Sequence, residues 1–164
     1  MSTPLENAFA LAADARRRRR KSRRKPTTGT TGDRTNALLS PTQKVGLRWE
    51  ECAADFLQRQ GLAILARNLC CKLGEIDLIA LDPAGTLIFI EVRQRQSRSH
   101  GRAADTVTLA KQQRLIRTAQ YLLPRIARSY LHGRMPTCRF DVIGYDGSSP
   151  TWIKSAFNAS DKKP

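Results

Sequence analysis

Apolar positions along the middle of the chain recur at two different periods. Val45, Trp49, Cys52, Ala53, Phe56 and Leu57 fall three or four apart, the spacing of one buried helix face. Ser40-Pro41-Thr42-Gln43 supplies the start, with Ser as N-cap, Pro at the first helical position and Gln three residues after the cap. Gly61 ends the run. Residues 62–69 then read as a strand. Residues 75–81 and 87–95 alternate with period two around Asp82-Pro83-Ala84-Gly85, which predicts a hairpin. A polar loop rich in Ser and Arg follows at residues 96–104. From about Thr108, the residues Leu115, Ile116, Ala119, Leu122 and Leu123 mark a second helix, which Pro124 is expected to end or kink. Residues 138–145 predict a fourth strand, and residues 151–153 a short edge. The order helix, three strands, helix, strand predicts an α/β fold, a mixed sheet flanked by helices. Its last two core strands are parallel if adjacent, with a right-handed crossover.

The hairpin allows a register argument. If paired positions sum to 168, Ile76, Leu78 and Ala80 share a wholly apolar face with Ile88, Ile90 and Val92. A shift of one would set these residues against Phe89 and Glu91, so the pattern selects the parity; sums of 166 or 170 keep it. In this register Asp77 lies opposite Glu91 and Glu75 opposite Arg93. Two carboxylates opposed on a sheet sit about 4.5–5.5 Å apart and repel. A divalent cation that prefers oxygen ligands would hold them. Splayed strand ends, with Glu75 and Arg93 paired on the surface and Asp77 and Glu91 hydrated, satisfy the same spacing.

Charge narrows the partner. Of 164 residues, 29 are Lys or Arg and 14 Asp or Glu, a net +15. Residues 1–40 carry +7 of this, concentrated at residues 16–25 and followed by a small polar stretch, and read as a disordered basic arm. Attraction to phosphates and a merely solubilising extension fit that arm equally. Residues 41–158 form the expected domain and 159–164 a tail. The chain beyond residue 40 keeps +8, which favours a polyanionic partner, and nucleic acid is the commonest. Arg93, Arg95, Arg98 and Arg102 thread the loop beyond the carboxylates, where a nucleic acid backbone would pass. Lys111, Arg114 and Arg117 recur at i, i+3, i+6, either a phosphate-facing stripe or a solvated helix face. Glu50 and Glu51 sit together on the first helix, and Asp141 has Arg139 as a neighbour.

Several classes drop out. No apolar run approaches the roughly 18 residues of a membrane span, and no secretory signal opens the chain, so the cytoplasm is expected. Cys52, Cys70, Cys71 and Cys138 lack zinc-site or disulfide-framework spacing. His100 and His132 have no partner at ligand or triad spacing.

The strings Gly74-Glu75-Ile76-Asp77-Leu78-Ile79-Ala80 and Phe89-Ile90-Glu91-Val92-Arg93 resemble the YraN family of uncharacterised bacterial proteins. Gly46, Glu50, Gly61, Arg67-Asn68, Lys111 and Arg139-Phe140-Asp141-Val142 extend the resemblance over roughly residues 44–158. Those proteins look like members of the restriction-endonuclease-like PD-(D/E)XK superfamily and are similar to archaeal Holliday-junction resolvases. The resemblance implies Asp77 and Glu91 as ligands of Mg²⁺ or Mn²⁺, with Glu50 assisting. Two positions depart from it: Arg93 stands where Lys is usual, and Trp49 where Gly is. Arginine stays protonated, so Arg93 can orient or stabilise charge but cannot take a proton.

The expectation is a nuclease-like nucleic-acid-binding protein that hydrolyses structured or branched DNA with Mg²⁺. Glu50, Asp77, Glu91 and Arg93 form its site, and Arg95, Arg98, Arg102, Lys111 and Arg114 its nucleic-acid contacts. The rival is a non-catalytic module that keeps the fold. A third reading is an RNA-associated accessory protein, with DNA favoured over RNA. No membrane partner is expected, and a homodimer is left open.

Overall fold

The computed structural model describes residues 40–94 and 107–159. The basic arm, the tail from Ser160 on, and Arg95, Arg98 and Arg102 lie outside these residues. Helix α1 (Pro41–Arg59) is followed by strands β1 (Ala63–Cys71), β2 (Gly74–Leu81) and β3 (Leu87–Gln94). Helix α2 (Leu109–Tyr130) then leads to β4 (Cys138–Asp146) and β5 (Ser149–Phe157). The five strands form one sheet in sequence order, β1-β2-β3-β4-β5. All neighbours are antiparallel except β3 and β4, which are parallel and joined through α2. The fold is α/β, a mixed sheet with a helix on each face, as the alternating periods imply.

Each helix buries its own stripe. On one face Ala53, Ala54 and Leu57 of α1 meet Leu78, Ala80, Ile88, Ile90, Ile143 and Tyr145. On the other, Leu115, Ala119, Leu122 and Ile126 of α2 meet Ile79, Leu81, Leu87, Phe89, Phe140 and Phe157. No described helix is long and apolar enough to cross a membrane.

The hairpin register is the expected one, with Leu78 opposite Ile90 and Leu81 opposite Leu87. Three expectations need correction. Ile76 packs in the α2-side cluster instead of joining Leu78 and Ala80; it lies beyond the end of the β2–β3 ladder at Leu78–Ile90, where β2 stays paired only with β1. Val45 and Cys52 are exposed; Ala54, two residues beyond Cys52, takes an inward position on α1 beside Ala53. Pro124 does not end α2: it and Gln120, whose carbonyl loses its amide partner to the proline ring, are both exposed, so water can satisfy that carbonyl.

Both outermost strands bulge. In β1 the pairing slips by one residue between Ile64 and Ala66. In β5 the pairing moves from Phe140↔Phe157 to Val142↔Ile153, which leaves residues 154–156 opposite Asp141 alone. Asp141, 1% exposed, fills that gap. It accepts from the Ser155 amide at 2.9 Å, the Trp152 indole at 2.9 Å and Arg139 through both oxygens.

Candidate functional site

Beyond Leu78 and Ile90 the central hairpin opens, and the polar residues of the chain converge there. Asp77 does not extend the ladder; its Oδ2 instead accepts the Val92 amide at 2.8 Å. That bond fixes the carboxylate between β2 and β3. Burial, the neighbouring Glu91 and Glu50 charges push its pKa up to about 7, against the opposing pull of the Val92 amide and Lys111. Glu91 follows the last apolar pair on β3 and is 3% exposed. Its Oε1 takes the Lys111 ammonium at 3.0 Å and lies 3.4 Å from Arg93 Nε.

Lys111 reaches Glu91 from the first turn of α2. Thr108 caps that helix by accepting the Lys111 amide at 3.3 Å. A cation in a first helical turn opposes the helix dipole; the buried Glu91 carboxylate compensates it. Lys111, which the sequence leaves as either a phosphate-facing residue or part of a solvated face, thus makes an ion pair inside the site. Arg114, one turn on, is exposed and lies over Gly74, as a solvent-side contact would.

Glu50 enters from α1. It is half-buried where Glu51 is exposed, which separates two carboxylates the sequence leaves equivalent. Burial raises its pKa first, then the Glu75, Glu91 and Glu51 charges, while a hydrogen bond from the Asn68 side chain lowers it. Asn68 sits on β1 at φ 48, a conformation asparagine tolerates better than most residues. Its role was not evident from sequence, where Arg67-Asn68 stands out only as a polar pair in a largely apolar strand that the family resemblance includes. Trp49, beside Glu50, packs against Tyr145 in a tilted arrangement with centroids 4.7 Å apart, so its departure from the usual glycine is absorbed by packing.

Three buried polar atoms in this cluster lack any hydrogen-bond partner: Glu50 Oε2, Glu91 Oε2 and Arg93 Nε. The Arg93–Glu91 approach is therefore an ion pair without hydrogen-bond geometry. The Glu75–Arg93 pairing expected from the register does not form, because the ladder ends first. Among the described residues no group of three or more His, Cys, Asp or Glu side chains is arranged to hold a metal ion. The donor set nonetheless fits one class of cation. Mg²⁺ takes one or two carboxylates, keeps several waters and completes its shell with substrate phosphate. Asp77 and the orphaned Glu91 Oε2 supply such a pair.

These features define an α/β protein with a half-buried carboxylate–cation cluster where its central hairpin opens. The chain belongs to the uncharacterised protein family UPF0102, the YraN family, whose model matches residues 49–145. A UPF0102 protein of Bordetella parapertussis is 41% identical over 157 residues, covering 96% of this chain and 87% of its own. One from Bordetella petrii is 42% identical over 159 residues, covering 94% and 97%. One from Ralstonia nicotianae is 49% identical over 111 residues, covering 66% and 82%.

Proposed function

We propose that this protein is a restriction-endonuclease-like nuclease that hydrolyses phosphodiesters in structured or branched DNA with Mg²⁺ or Mn²⁺. The observation that carries the reading is the group of orphaned buried atoms, Glu50 Oε2, Glu91 Oε2 and Arg93 Nε, gathered beside Asp77. Buried polar atoms are almost always bonded, and exceptions in a cluster point to a missing ligand. Acceptors and a donor together match a ligand pair of opposite sign, a cation and a phosphate.

Asp77 and Glu91 would hold the cation, and Glu50 would assist. When bound, it would supply positive charge at a phosphoryl oxygen and acidify water. Lys111 holds Glu91 in place and offsets its charge. Arg93 is 39% exposed in its side chain and offers a buried N–H, so it can stabilise charge that develops on phosphate. A lysine is also within reach: Lys111 occupies the neighbourhood that Arg93 leaves without one.

The test is cleavage of duplex, single-stranded, flap and four-way DNA with Mg²⁺ or Mn²⁺. Wild type is expected to cut a branched substrate, and Asp77→Asn to fall to background. Arg93→Ala should lose about two to three orders of magnitude, as for one preorganised donor. Silence of the wild type on every substrate, with DNA affinity indifferent to Mg²⁺, would overturn the reading. The replacement of Lys by Arg93 favours one second reading, a binding module that has lost its chemistry. In that case only Arg93→Lys would cleave.

A further inference from the structure

Helix α2 carries five cations and no carboxylate along its 22 residues. At 3.6 residues per turn, Lys111, Arg114, Thr118, Tyr121, Arg125 and Arg128 fall within about 100° of its circumference. One end of this stripe is Lys111, bonded to Glu91. The other opens into a groove of about 530 Å³ between the second half of α2 and the β1–β2 turn, where Lys72, Tyr121, Arg125 and Arg128 line the wall. Arg114 lies between the two, its stem packed over Gly74. None of Lys72, Arg114, Arg125 and Arg128 is within ion-pair distance of a described carboxylate.

Tyr121 distinguishes this groove from a plain basic face. Tyr121 is 53% exposed, and the Lys72 ammonium lies 5.7 Å from its ring centroid. An exposed aromatic set among cations is the arrangement that binds an unpaired strand, with bases stacking on the ring and phosphates on the cations. Duplex bases are already stacked and cannot reach such a ring. From Lys111 to Arg128 the helix rises about 25 Å, roughly seven nucleotides at the 3.4 Å spacing of a stacked strand.

We propose that this groove docks an unpaired DNA strand running from the carboxylate cluster along α2, with phosphates on Lys72, Arg125 and Arg128 and a base on Tyr121. The inference rests on the nucleic-acid reading above and names its substrate class: DNA with a single-stranded arm, such as a flap, in preference to fully paired duplex.

The full-length protein is titrated into a fluorescein-labelled single-stranded DNA, its blunt duplex and the RNA of the same sequence, with chelator present, and anisotropy is followed over a range of salt. Wild type should bind the single-stranded DNA most tightly. Tyr121→Ala should weaken that binding roughly 5- to 150-fold, the loss of one stacked base, while Tyr121→Phe retains it. Arg125→Ala/Arg128→Ala should reduce the slope of log affinity against log salt by about 1.4, two phosphate contacts on a single strand. The substituted groove residues are exposed, so unchanged melting temperatures will report intact folds. Groove variants that bind like wild type would overturn this inference and leave the nuclease reading standing. Tighter binding of RNA would overturn the assignment to DNA, and a wild type that binds no nucleic acid would overturn both.

Discussion

Asp77 holds its carboxylate in a place that disfavours its charge. Its pKa is moved from an ordinary 3.8 to about 7, by burial first and by Glu91 second. Between those two values the folded chain keeps a proton that the unfolded chain releases. Without a metal, stability must therefore fall as pH rises through that window and level off above it. Asp77→Asn keeps an oxygen for the Val92 amide and removes the charge. In chelator its advantage over wild type should be absent near pH 4, open as the pH rises through that window, and reach on the order of 1 kcal/mol or more above about pH 7. An Asn variant that melts lower at high pH would show the charge to be stabilised already. Asp77 and Glu91 were legible because alternation leaves few acidic positions on an apolar hairpin. The Lys111–Glu91 pair was not: a loop and a helix turn separate the two residues, and only the fold sets how far a four-carbon stem reaches.

Gly74, which opens β2, explains why that strand begins without a side chain. A Cβ there would lie 2.9 Å from Thr118 Oγ1 and 3.3 Å from Arg114 Cγ. Thr118 is fully buried and its hydroxyl donates to the Arg114 carbonyl at 2.8 Å, so it cannot swing aside. Gly74→Ala should push α2 from the sheet and cost about 1–3 kcal/mol, measured by urea unfolding. Gly46→Ala, with nothing within 4 Å in α1, should instead be neutral or slightly stabilising. Equal effects at the two positions would refute the close approach. The start of α1, its stop at Gly61 and the hairpin parity were readable because each rests on local chemistry. The nine-residue β5 read as a three-residue edge, since Pro150 interrupts its start and the bulge at residues 154–156 breaks its alternation. That bulge depends on Asp141, a partner from β4 that no local pattern announces.

The candidate site draws on α1, β1, β2, β3 and α2 together, through Glu50, Asn68, Asp77, Glu91 and Lys111. No short segment contains it, so a ligand that binds there must favour the folded chain over the unfolded one. Saturating Mn²⁺ should raise the melting temperature of wild type, by about 2.7 kcal/mol of stability at a hundredfold excess over Kd, and leave Asp77→Asn unmoved. An unchanged wild-type melt would leave Asp77 and Glu91 without a metal.

Sequential strand order places β1 and β5 on the outside, and these are the two strands that bulge. An unpaired edge is a template for another chain's backbone, and a bulge, a proline or a lysine spoils it. Strand β5 has all three, with Pro150, Lys154 over the Trp152 ring and Ser155 turned to φ 50. Strand β1 has its slip at Leu65. The sheet is thereby guarded against growth from either side. A second copy of the chain would have to meet it through side chains and not by adding strands.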